Sequence, residues 1–179
     1  MKKLSDCKVA ILVADGFEES EMLKPREALH KAGARTHIVS SKKSKVRSWM
    51  RGNWSAQYDV DVYLDDALAE SYQALILPGG VINPDTLRTY PKAIDFIAKI
   101  GKAGKPIGAI CHGPWTLINA GLVKGKKMTS WSSIRIDLEN AGAEWVDKEV
   151  VVDGMLVTSR KPEDIPAFND ALIKLLSCD

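Results

Sequence analysis

Short apolar runs alternate along the chain with longer stretches in which apolar residues recur every three or four positions. Continuous apolar runs are typical of strands that are buried on both faces. They predict strands over 9–14, 74–77 and 107–110, and a further strand is predicted over 36–39. Because helical patterns separate these strands, the chain predicts a three-layer α/β/α sandwich with a flavodoxin-like, mainly parallel sheet.

Apolar spacing also predicts the helices. They fall after residue 20 and before Gly33, around 94–98, over 114–120 and over 165–175. Pro25 either starts the first of these helices or kinks it. Asp153-Gly154 predicts a hairpin between 149–152 and 155–158. The least regular segment, 44–56, is either a loop or a short antiparallel excursion.

Length and composition favour one ordinary globular domain over residues 1–179. Hydrophobic residues make up 45% and charged residues 27% of the chain, as in average soluble proteins. Apolar runs stay below the ~18 residues that a membrane-spanning helix needs. The apolar stretch near the N-terminus is too short for a signal-peptide core, so we expect a cytoplasmic protein without membrane partners.

The charge balance argues against nucleic acid as a partner. Lys and Arg number 25 against 23 Asp and Glu, which leaves a net charge of +2. The single basic run, 42–47, is interpreted as a solvated loop rather than a phosphate-binding patch. Three cysteines and three histidines lack the spacing of a zinc site, so we expect no metal and no cofactor.

Cys111 carries the sharpest chemical signal. It follows the strand 107–110 directly and precedes Gly113 and a helix, which is the layout of a nucleophile elbow. The helix N-terminus predicts a lowered pKa for its thiol. The alternative is that Cys111 is one more small buried residue. That structural interpretation is the favoured one for Cys7 and Cys178.

Other strand ends bring further candidates to the same edge of the sheet. His112 follows the cysteine, and its backbone N–H is a natural oxyanion donor. Gly79 and Gly80 form either a simple turn or a second donor. The carboxylates Glu18, Glu19 and Glu21 act either as helix-dipole partners or, in one case, as a carboxyl of raised pKa that shares a proton with the thiol.

Together these residues resemble the PfpI-like branch of the ThiJ/PfpI superfamily, within the class I glutamine-amidotransferase-like fold. The similar segments are Phe17-Glu18-Glu19-Ser20-Glu21, Leu77-Pro78-Gly79-Gly80, Ala109-Ile110-Cys111-His112-Gly113-Pro114, Asn140-Ala141-Gly142-Ala143-Glu144-Trp145 and 150–160. The resemblance extends over nearly the whole chain.

The resemblance implies a role for each matching position. Cys111 corresponds to the nucleophile, Glu21 to the glutamate that hydrogen-bonds the thiol, and Glu18 to a second acid at the mouth. The N–H groups of Gly80 and His112, flanked by Gly79 and Gly113, correspond to the oxyanion pocket. Asp85, in the segment 84–88, corresponds to an acid that orients the histidine of a neighbouring subunit. A homodimer or hexamer is therefore implied.

Two departures from the family pattern affect these assignments. The loop 80–84 carries an extra residue, which affects the reach of Asp85. Trp131 and Trp115 stand where some relatives have tyrosine and glutamine. Bulky indoles are expected to narrow the pocket, which weakens a peptidase interpretation more than a small-aldehyde one.

Three functions remain open, because one fold hosts several chemistries. The first is an enzyme that acts on α-oxoaldehydes or glycated side chains through Cys111 and Glu21. The second is a cysteine peptidase or amidase with a Cys111, His112 and Asp85 triad. The third is a redox or stress chaperone in which Cys111 is oxidised.

Overall fold

The computed structural model describes residues 4–177. The strands are β1 Lys8–Leu12, β2 Phe17–Glu18, β3 Arg35–Ser40, β4 Lys45–Met50, β5 Asn53–Asp59, β6 Val62–Tyr63, β7 Ala74–Leu77, β8 Ile107–Ile110, β9 Lys127–Met128, β10 Glu144–Trp145, β11 Val150–Asp153 and β12 Leu156–Ser159. The helices are α1 Glu19–Lys31, α2 Ile82–Arg88, α3 Pro91–Lys102, α4 Trp115–Asn119, α5 Arg135–Asn140 and α6 Ile165–Ser177.

A seven-stranded sheet forms the middle layer, in the order β11-β12-β8-β7-β1-β3-β6. All its neighbours pair in parallel except β11 and β12, which form the predicted hairpin. Apolar side chains of α1 and α6 pack on one face, and those of α2, α3, α4 and α5 pack on the other. The predicted three-layer α/β/α fold is therefore confirmed, and the ends of β1, β7 and β8 meet at one edge.

The structure decides between two pairs of alternatives that the sequence left open and differs from the sequence prediction at one further place. Helix α1 begins at Glu19, so Pro25 lies inside the helix rather than at its start. The irregular segment 44–56 is the antiparallel pair β4–β5, whose turn places Arg51 and Gly52 at positive φ. Helix α2 occupies the stretch after Gly80 where only a loop was expected.

Among residues 4–177, no helix combines the length and the apolar character needed to cross a membrane.

Candidate active site

Cys111 stands at a strained turn directly after β8. Its φ is 60°, in the left-handed region that non-glycine residues avoid at a cost of about 1–3 kcal/mol. Backbone hydrogen bonds hold this conformation: the Cys111 N–H donates to the Ser159 carbonyl at 3.0 Å, and the Trp131 N–H donates to the Cys111 carbonyl at 2.9 Å. The geometry matches the predicted nucleophile elbow.

Glu21 places its carboxyl beside the thiol from the first turn of α1. The side chain is 0% exposed, and its Oε2 accepts a hydrogen bond from the Gly79 N–H at 2.8 Å. Burial raises the pKa of Glu21 to about 8, although the Gly79 N–H acts in the opposite direction. Its Oε1 lacks a hydrogen-bond partner among the described residues, which also favours the protonated acid.

The two neighbouring glutamates, Glu18 and Glu19, form hydrogen bonds with other residues. The Glu19 Oε2 accepts a hydrogen bond from the Ser48 hydroxyl at 2.5 Å, in the β4–β5 hairpin. The Glu18 Oε1 accepts one from the Ser20 hydroxyl at 3.1 Å, and burial raises the pKa of Glu18. Of the three carboxyls, Glu21 is thus the one that interacts with Cys111.

The Cys111 thiol departs from the sequence-based expectation. Burial and the Glu21 carboxylate raise its pKa, while hydrogen bonds from the N–H groups of His112 and Gly80 act to lower it. The predicted lowering is wrong because the residue is only 8% exposed and α4 starts four residues later, at Trp115. Thiol and carboxyl therefore form a coupled buried pair in which one negative charge disfavours a second.

Glycines at the two predicted donor positions allow this close approach. A Cβ at Gly79 would lie 2.6 Å from the Glu21 Oε2 and 2.7 Å from the Cys111 Cβ. Gly80 has a φ of +74°, and a Cβ there would contact the Gly16 carbonyl. A Cβ at Gly113 would overlap the Leu77 carbonyl oxygen.

His112 has partners on both ring nitrogens. Its Nδ1 lies 3.2 Å from the Cys111 Sγ, and its Nε2 lies 3.2 Å from the hydroxyl of Ser133. The Trp131 ring stacks on the imidazole at 6.1 Å, and the Trp115 ring meets it at 5.7 Å. Burial lowers the pKa of His112, which favours the neutral imidazole. No sequence motif marks Ser133, so sequence reasoning did not identify it as a partner of His112.

Asp85 is not brought to His112 within the chain. It lies exposed on α2, and the imidazole nitrogens contact Cys111 and Ser133 instead. Its contribution from a neighbouring subunit stays a prediction.

Asn83 connects the start of α2 to the edge of the sheet. This buried amide accepts a hydrogen bond from the Ala14 N–H at 2.7 Å and donates to the carbonyls of Pro78 and Gly79 at 2.9 and 3.1 Å. Sequence reasoning missed Asn83 because no local pattern marks a single buried amide.

A cavity of ≈ 590 Å³ opens above the thiol. It is lined by Gly16, Glu18, Glu21, Trp49, Gly80, Val81, Ile82, Cys111, His112, Trp131, Ser133 and Pro162. Trp115 lies outside this lining, since its indole N–H donates to Asp137 at 2.6 Å. The expected narrowing by both indoles is therefore wrong for Trp115, and the volume lies in the range of about 300–1,000 Å³ that suits larger ligands.

The residues from 4 to 177 contain no group of three or more His, Cys, Asp or Glu side chains placed to hold a metal ion.

Comparison with known proteins identifies relatives over nearly the whole chain. The model of the DJ-1/PfpI family matches residues 7–175. Deglycase TK1284 of Thermococcus kodakarensis is 42% identical over 94% of this chain and 99% of its own. General stress protein 18 of Bacillus subtilis is 43% identical over 94% and 97%. A two-domain protein from Anabaena variabilis, with DJ-1/ThiJ/PfpI-like and ferritin-like domains, superimposes with a TM-score of 0.89 at 35% identity over 95% of this chain and 48% of that chain.

Proposed function

Since the chain belongs to the DJ-1/PfpI family, we propose that it is a cysteine-dependent deglycase that acts on α-oxoaldehydes or their adducts with protein side chains. The observation that carries the proposal is the fully buried Glu21 carboxyl, with a pKa of about 8, beside the Cys111 thiol. The names of its relatives support a deglycase and a place in stress protection.

Below the Glu21 pKa of about 8 the pair holds two protons, one on the carboxyl and one on the thiol. The proposed reaction begins after the pair has lost one of them and holds a single proton. When Glu21 carries it, the Cys111 sulfur is a thiolate stabilised by the N–H groups of Gly80 and His112. The sulfur attacks the aldehyde carbon of methylglyoxal, the C=O bond opens, and Glu21 donates its proton to the resulting alkoxide. The product is a hemithioacetal, with Glu21 now ionised.

Glu21 then acts as a base. It removes the proton of the former aldehyde carbon and returns it to the adjacent carbon. The hydroxyl proton of the hemithioacetal passes to the former ketone oxygen, so that the former ketone is reduced to an alcohol and the former aldehyde is oxidised to a thioester. Water hydrolyses the thioester to lactate and regenerates the thiol. The sum is methylglyoxal plus water to lactate and a proton, with no external oxidant or reductant. A glycated amine enters at the first step: the sulfur bonds to the adduct carbon, the carbon–nitrogen bond breaks, and Glu21 donates its proton to the leaving nitrogen.

The test is the production of hydroxy acid from methylglyoxal and from methylglyoxal-treated N-acetylarginine amide. Cys111→Ala and Glu21→Gln should each lose turnover by on the order of 10⁴-fold or more, as for residues that act as one unit. Cys7→Ala is the matched control, because Cys7 is the other buried free cysteine among the described residues and lies outside the cavity lining.

Absence of hydroxy acid from the wild type with either substrate would overturn the proposal. So would a Glu21→Gln variant that keeps full turnover while its thermal unfolding matches that of the wild type.

The contact of 3.2 Å between the His112 Nδ1 and the Cys111 Sγ favours a cysteine peptidase or amidase as the second candidate. This function needs Asp85 from a neighbouring copy in a homodimer or hexamer. Light scattering tests it directly: a strict monomer, or unchanged peptide cleavage by Asp85→Ala, would exclude the shared triad. The redox or chaperone role stays a prediction, since it would use the same Cys111 thiolate as the proposed reaction.

A further inference from the structure

We infer that the cavity contains a subsite for a cationic side chain, formed by Glu18, Trp49 and Trp131, which selects glycated arginine over neutral or anionic adducts. This inference rests on the proposed function for its biological meaning, but the binding that it predicts is independent of turnover.

The pairing of β2 with β4 places two of the three residues side by side. Glu18 is the register partner of Trp49, whereas Phe17 is the partner of Ser48. Side chains alternate between the faces of a strand, so the two pairs point in opposite directions. Phe17 and Ser48 are fully buried, and Glu18 and Trp49 therefore turn together toward the cavity that both line.

Trp131 contributes a second indole to the lining of the cavity. Its backbone N–H donates to the Cys111 carbonyl, and its ring stacks on His112, so the indole is held at a fixed place beside the nucleophile. It is nevertheless 40% exposed, which leaves ring surface open to a ligand. An indole face near a cation contributes about 0.5–2 kcal/mol of attraction.

The charges in the cavity have one sign. Glu18 and Glu21 are its carboxyls, and no Lys or Arg is among the residues that line it. Within the described part of the chain, none of the ion pairs involves Glu18, whose only side-chain hydrogen bond comes from Ser20. A half-buried carboxylate without a cationic partner, in a cavity that two indoles also line, favours a guanidinium, which can pair with the carboxylate and stack on the rings.

The size of the cavity supports the same ligand. A three-carbon aldehyde occupies only a small part of ≈ 590 Å³, whereas an arginine side chain that carries such an adduct extends several ångströms from the reacting carbon. With that carbon at Cys111, the guanidinium bonded to it lies within the cavity that Glu18 and Trp49 also line, and the aliphatic part of the side chain occupies the remaining volume.

The test is a pair of non-reacting ligands that differ in charge and little in shape. Titration calorimetry should give N-acetylarginine amide a dissociation constant at least about tenfold lower than that of N-acetylcitrulline amide, its neutral analogue. Glu18→Gln should bring this ratio close to one. Trp131→Leu should reduce it by a smaller factor. Glu70→Gln, at an exposed carboxyl outside the cavity, is the matched control and should keep the wild-type ratio.

Equal binding of the two ligands by the wild type, or no binding of either at millimolar concentration, would overturn the subsite. So would a folded Glu18→Gln variant that keeps the preference, since arginine would then bind elsewhere. A wild type that prefers arginine but forms no hydroxy acid would keep the subsite and refute the proposed function. A wild type that forms hydroxy acid but binds the arginine and citrulline ligands equally would refute the subsite and keep the proposed function.

Discussion

The base of the cavity and its rim are built in different ways. At the base, Glu21 and Cys111 are buried and are held by backbone N–H groups and by the glycine at 79. At the rim, the β4–β5 hairpin and the start of α2 expose large apolar side chains, among them Trp54 and Val81. The thiol–carboxyl pair at the base therefore depends on backbone geometry, whereas the surface of the rim depends on side-chain identity.

Substitution of one glycine at the base and of one in the rim hairpin should give the largest difference in turnover between the two regions. Gly79→Ala puts a Cβ against both Glu21 and Cys111, so it should lower turnover by about 100-fold through displacement of the reacting groups. It should also lower the free energy of unfolding by about 1–3 kcal/mol. Steady-state kinetics and urea unfolding measure the two effects.

The control is Gly52→Asn in the hairpin turn, where an added Cβ would meet no heavy atom within 4 Å apart from those of its chain neighbours, and asparagine tolerates the positive φ. If this variant loses as much turnover as Gly79→Ala, the base is no more constrained than the rim.

The pH dependence of stability should also come from the base. The pKa of Glu21 rises from 4.5 to about 8 on folding, so between these values the folded protein binds the additional proton. The free energy of unfolding should consequently be highest below the lower value and should fall by a few kcal/mol as the pH rises through the upper one. Urea unfolding from about pH 5 to pH 8 should show this loss in the wild type and not in Glu21→Gln. Parallel curves for the two proteins would contradict the raised pKa.

Ser133→Ala should have a smaller effect and should distinguish the two candidate functions. In the proposed mechanism the His112 side chain transfers no proton, so the loss of one hydrogen bond, about 1 kcal/mol, should lower hydroxy acid production less than about tenfold. In a peptidase the same change would disturb the base itself. A much larger fall in hydroxy acid production would place the imidazole in the reaction.

The smallest effect is expected at the tip of the rim. Trp54 packs edge-to-face on Trp49 at 5.3 Å, an interaction of about 0.5–1.5 kcal/mol. Trp54→Ala should lower the free energy of unfolding by about that amount and leave methylglyoxal turnover unchanged. A large loss of turnover would mean that the hairpin takes part in the chemistry.

The sequence predicts the base of the site better than its rim. Continuous apolar runs locate β7 and β8, and the glycines and the cysteine that follow them carry strong local conformational preferences. Ser133 could not be predicted, because its contact with His112 joins positions 21 residues apart through one ordinary hydroxyl. The polarity of the thiol's environment was also missed, since burial is a property of the packed chain.

Helix α2 shows why the rim was harder to predict. It has seven residues, lacks a side-chain hydrogen bond at its N-terminal cap and contains Pro84 in its first turn. Its local propensity is weak, and packing of buried residues such as Leu87 against the core stabilises it instead. A pattern of that length does not distinguish a helix from a loop.

The buried amide of Asn83 has a mechanical consequence. It joins α2, the end of β1 and the turn after β7 through three hydrogen bonds, so these segments form one stiff unit. Asn83 donates to the Pro78 carbonyl, and the N–H of that same peptide, at Gly79, holds the Glu21 carboxyl. A force applied to the outer surface of α2, where Asp85 lies, is therefore transmitted through one side chain to the peptide that positions Glu21. The stiffness of the reactive pair is therefore set partly from the outer surface of the molecule.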